Sequence, residues 1–123
     1  MTRTLFAALL VLPLVSATID AHHSYAGFDE TPVTIEAEVL SFQWTNPHTL
    51  IELRTRDNER YVVVWAAPNA LVRQGYTQNN LLEVLRPGER LKVTGRAKWG
   101  QTVTPLLPQH IEHPVHGALF ERN

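Results

Sequence analysis

The chain has 123 residues, a formal net charge of -1 and no cysteine. That length holds one domain and excludes a second core; the near-neutral charge excludes a field that would draw phosphate backbones, so nucleic acid is not an expected partner. The missing cysteine excludes disulfides and thiolate metal sites, while 44% hydrophobic and 19% charged residues suit a folded core better than a disordered tail.

Residues 1–21 read as a secretory signal peptide: Arg3 supplies the positive start, Leu5 to Val15 form an apolar run broken by Pro13, and small residues follow. The run is shorter than the roughly 20 apolar residues a spanning helix needs, so the processed chain is expected to be periplasmic or secreted, without a stable membrane anchor. Two cuts compete, after Ala17 or after Ala21, and only the second makes His22 the first residue with a free α-amine. Met1 is the sole methionine, so a processed chain would hold any transition metal through nitrogen and oxygen alone.

From Val33 the apolar positions alternate through Ile35, Ala37 and Val39, then change phase to Leu40, Phe42 and Trp44. A half-buried strand with a bulge is expected there. Ile51, Leu53 and Thr55 alternate with Glu52, Arg54 and Arg56 as a second strand, and Asp57 to Arg60 is its turn. Tyr61 to Ala66 is a third strand, apolar enough to be covered on both faces. Pro68 to Gln74 fits a short helix that Gly75 ends, and Thr77 suits the cap of a further turn through Leu81, Leu82 and Leu85.

Arg86-Pro87-Gly88-Glu89 is a tight turn, and Leu91, Val93 and Gly95 lie on one face of a fourth strand. A last strand over Thr102 to Glu112 carries Pro105 and Pro108, which confine it to an edge or an irregular ribbon. Three strands, a helical segment and two strands give a mostly β fold, a small five-stranded OB-like β-barrel (β-β-β-α-β-β). The expected divisions are the signal at 1–21, the barrel at 22–112 and a loose C-terminal tail at 113–123.

The six histidines fall in three places: His22 and His23, His48 in Asn46-Pro47-His48, and His110, His113 and His116 near the end. An N-terminal histidine offers its amine and its imidazole to one ion as a chelate, and a third nitrogen from His48 would complete a set suited to copper(II). His23 would be an alternate ligand or a neighbouring donor, and Tyr25 or Asp29 could supply oxygen. The last three histidines are weaker candidates, because Pro114 forbids a regular helix and a strand would put His110 and His113 on opposite faces. Trp44 and Trp65 lie in the inward phase of their strands, which leaves Trp99 as the aromatic residue suited to stacking. No nucleophile triad, carboxylate pair or phosphate loop stands out, so turnover is not the expected role.

Four segments, AHHSYAGFD, FQWTNPH, APNALVRQGYT and LRPGERLKVTG, together resemble a family of short secreted bacterial proteins of unknown function. The resemblance spans Ala21 to Gly95, with His-His-Ser and Trp-x-Asn-Pro-His its sharpest elements. It implies export and a small barrel, sets His22, His23 and His48 above the other histidines, and carries no activity. Beyond Lys98 the chain departs from it. The leading expectation is an exported metal-binding module, copper(II) foremost, using His22, His23 and His48. The alternative is a metal-free binding or assembly module for a peptide, glycan or partner protein.

Overall fold

The structure, a computed structural model, describes residues 25–122. The expected signal peptide and both His22 and His23 lie outside the described residues. The elements in chain order are β1 (Val33–Gln43), β2 (Leu50–Thr55), β3 (Arg60–Val64), α1 (Pro68–Arg73), α2 (Gln78–Val84), β4 (Arg90–Ala97), β5 (Thr104–His113) and β6 (Gly117–Glu121). The sheet runs β3-β2-β1-β4-β5-β6, and a parallel pairing of β3 with β5 closes the first five strands into a barrel. The OB-like order expected from the sequence is therefore the order observed.

β1 serves both of its neighbours by curling. Val33 to Glu38 pair with β4, Ala37 to Gln43 pair with β2, and the β2 register shifts between Val39 and Ser41, which makes Leu40 the bulged residue. The phase change at Leu40 is the trace of that bulge, and a bulge sharpens the local twist that a closed sheet needs. The inward face of the barrel carries Val39, Ile51, Leu53, Val63, Val93, Leu106 and Ile111, all fully buried. Each such side chain contributes about 1.5–3 kcal/mol of apolar burial. In β3 the buried residues are Tyr61 and Val63 while Val62 and Val64 are half-buried, so its apolar run is covered more on one face than the other.

The helical segment follows its local signals closely. Pro68 opens α1, where a missing N–H costs nothing. Thr77 caps α2 in a reciprocal box with Asn80, its hydroxyl accepting from Asn80 N at 3.2 Å while Asn80 Oδ1 accepts from Thr77 N at 2.8 Å. Leu71, Leu81 and Leu85 join the barrel core, so both helices are packed on it. Glu89 N donates to Arg86 O at 3.0 Å with Gly88 at φ 91°, the turn that Pro-Gly favours.

Two expectations about the end of the chain are corrected. β5 is an interior strand, bonded to β4, β3 and β6, although it contains two prolines. Pro108 is tolerated because it sits at the register shift opposite Gly95, and Pro105 contributes its carbonyl, which accepts from Lys98 N at 2.9 Å. Gly95 is required at that seam, since a Cβ there would lie 2.3 Å from Leu107 O. The segment expected as a loose tail from His113 onward instead turns back as β6, with His110 opposite Glu121 and His113 opposite Gly117. Gly117, at φ 75°, completes the turn after Pro114, Val115 and His116.

Candidate functional site

A cleft of about 370 Å³ opens where the loop after β1 meets β3, β5 and β6. Pro47, His48, Trp65, Leu107, Phe120 and Arg122 line it, and Tyr25 reaches it from the N-terminal side. Phe120 packs edge-on to Trp65 with ring centroids 5.8 Å apart, and Tyr76 approaches the same indole at 5.5 Å. Trp65 is 3% exposed, as its inward phase implied, and its Nε1 is buried without a hydrogen-bond partner among the described residues.

The loop that carries His48 is fastened on three sides. Thr45 Oγ1 donates to His48 O at 2.9 Å. The next residue, Thr49, is fully buried and pairs through its backbone with β3, its N–H donating to Ala66 O at 3.1 Å and its carbonyl accepting from Trp65 N at 2.9 Å. The imidazole is then fixed by its Nδ1, 3.0 Å from Trp65 O. A carbonyl only accepts, so Nδ1 carries a proton, and in the neutral ring Nε2 is the nitrogen with the lone pair. His48 itself is exposed. That is the tautomer of a metal-ligating histidine, whose second nitrogen commonly donates to a backbone carbonyl that orients the ring.

The remaining histidines are placed differently. His113 is 2% exposed, its Nε2 lies 2.9 Å from Glu89 Oε2, and its Nδ1 accepts from Val115 N at 3.1 Å and His116 N at 3.3 Å. Both ring nitrogens are therefore taken, Nδ1 by the β5–β6 turn and Nε2 by Glu89 ahead of β4. The His116 ring lies 4.7 Å from that of His113, and His110 Nε2 lies 3.4 Å from Glu112 Oε2. No group of three or more His, Asp or Glu among the described residues is arranged to hold a metal ion. Asp29 is committed elsewhere: Oδ1 accepts from Thr31 N at 3.0 Å and Oδ2 from Trp99 Nε1 at 3.3 Å. Trp99 is half-exposed beside it, and Trp44 is half-buried against the core, its ring 6.4 Å from Phe42.

Two phenols are perturbed. Burial raises the pKa of Tyr76, whose hydroxyl donates to Leu119 O. Burial also raises that of Tyr61, helped by the hydrogen bond and negative charge of Glu59. Sequence reasoning found His48 from its motif but missed Phe120 and Arg122, because it placed no strand beyond His113. The turn signal was nonetheless present in Pro114 and Gly117 flanking two residues.

Fold and site together define a closed five-stranded β-barrel with a sixth strand and one oriented histidine at an aromatic cleft. The chain belongs to a family of unknown function (DUF6152), which it matches over residues 10–104. No curated protein shows a significant similarity to it.

Proposed function

We propose that the protein is an exported copper(II)-binding module in which the α-amine and imidazole of His22 join Nε2 of His48 at the mouth of the cleft. The observation that carries this reading is the His48 Nδ1 to Trp65 O contact at 3.0 Å, which orients the ring and leaves Nε2 without a partner among the described residues. Tyr25 lines the same cleft as His48. The three residues from Tyr25 back to His22 span at most about 10 Å, so the cleft is within their reach. Three nitrogens in one plane suit a tetragonal copper(II) site, and the absence of cysteine and of methionine other than Met1 disfavours copper(I). His23 would be the alternate imidazole. Carriage or sequestration of the ion fits a site with no acid-base pair beside it.

The test is copper(II) titration of the processed protein, with intact mass used to establish its first residue. One equivalent bound through nitrogen ligands, weakened at least about 100-fold by His48→Ala, supports the reading; outer partners of metal ligands alone are worth about 10–100-fold. A processed chain beginning at Thr18, or copper bound no more tightly than by a free His-His peptide, overturns it in favour of a metal-free binding module.

A further inference from the structure

The charges around the cleft are unlike those elsewhere on the barrel. The groove lined by Glu36, Arg90, Lys92 and Glu112 mixes both signs, and the one between Arg54, Arg56 and Arg90 includes Glu38, which is ion-paired to Arg54. Among the described residues no Asp or Glu lines the cleft beside His48, yet Arg122 does. Among the described residues the Arg122 guanidinium forms no ion pair, while its backbone N–H donates to Gln109 O at 2.8 Å and anchors the residue at the end of β6. A guanidinium is the donor best matched to a carboxylate, which it grips with two parallel N–H groups.

Apolar residues line the same cleft. Phe120 is half-buried, held edge-on to Trp65, and Leu107 lies beside it. A volume of about 370 Å³ admits a single-ring molecule and falls in the range of small-ligand sites. Gln74, at the end of α1, adds an amide to the same cleft.

We propose that the cleft binds a small organic carboxylate with a one-ring or similarly compact apolar body, its carboxylate on Arg122 and its body against Phe120 and Leu107. The inference deepens the reading of this cleft as a binding site, yet it stands on Arg122 and the apolar wall and needs no metal. In the proposed arrangement the carboxylate shares the cleft with the His48 ring, so an ion held there would add attraction for the same anion.

The experiment follows backbone and tryptophan side-chain NMR shifts of the full chain in chelator-treated buffer during titration with benzoate, and in parallel with benzamide, its neutral analogue. Benzoate is expected to shift the Trp65 and Phe120 signals and to bind about tenfold more tightly than benzamide, as a charge-assisted contact implies. Arg122→Gln should remove that preference and leave benzamide binding unchanged. Equal binding of the two probes, or a benzoate preference that survives Arg122→Gln, overturns the proposal. Because chelator is present, a failure here leaves the copper reading untouched, and a failed copper titration leaves this one standing.

Discussion

His48 and His113 sit on the same barrel and use the imidazole in opposite ways. At His48 one nitrogen donates to Trp65 O and the other, on an exposed residue, has no partner among the described residues. At His113 one nitrogen faces Glu89, the other accepts two backbone N–H groups, and the ring is buried. The difference teaches that a histidine becomes available for chemistry when the fold satisfies half of it. When the fold satisfies all of it, the residue is structural, however many other histidines lie nearby in sequence.

The contrast can be broken most forcefully at His113. Replacing it by Ala empties a buried ring site and removes the partner of two turn N–H groups and of Glu89, and should cost about 2–4 kcal/mol. In a domain of this size that lowers Tm by roughly 10–20 °C, while copper stoichiometry remains one. Thermal unfolding and copper titration of the same variant check both halves, and loss of copper binding in a folded His113→Ala protein would show that the two regions are not separate.

The converse substitution, His48→Ala, is expected to move binding and spare the fold. Its copper affinity should drop at least about 100-fold, and its unfolding free energy should change by less than about 1 kcal/mol because the side chain is exposed. Denaturant melts that show a larger loss would make His48 a structural residue too. A finer cut comes from His113→Asn, whose side-chain oxygen can still accept from N–H groups two and three residues on. It should recover about half of the stability that Ala loses, which denaturant midpoints would register; no recovery would mean that packing, not hydrogen bonding, is what the ring supplies.

The smallest effect concerns Tyr76, which fastens β6 through Leu119 O. Tyr76→Phe should cost about 1 kcal/mol. Burial raises this phenol above its ordinary pKa of 10.0, so as pH climbs the unfolded chain releases its proton first. The associated stability is full below about pH 10 and is lost as pH rises toward the folded value. Urea midpoints measured on either side of pH 10 should fall more steeply for the wild-type chain than for Tyr76→Phe.

Much of the barrel was legible because its signals are local. The phase change at Leu40, the Pro-Gly turn at Arg86 to Glu89 and the Thr77 cap each act within a few residues. What escaped depends on partners distant in sequence. Pro105 and Pro108 argue against an interior strand until Gly95 and Lys98 are brought opposite them, and no local pattern reports that meeting. β6 was missed for the same reason. Leu119 is buried at a register shift, and its carbonyl is taken by Tyr76 from 43 residues away. Of the candidate site, His48 was visible as a residue type in a motif, whereas its protonation pattern depends on Trp65 O, 17 residues further on. The proximity of His48 to Arg122 required the whole fold.

The family match ends at residue 104, at the first residue of β5. His48 and Trp65 lie inside it, whereas Leu107, Phe120 and Arg122 lie beyond it. The barrel closes through β3 and β5, with β6 added beyond that closure. The proposed carboxylate contacts thus fall outside the matched span, while the proposed copper ligand His48 falls within it.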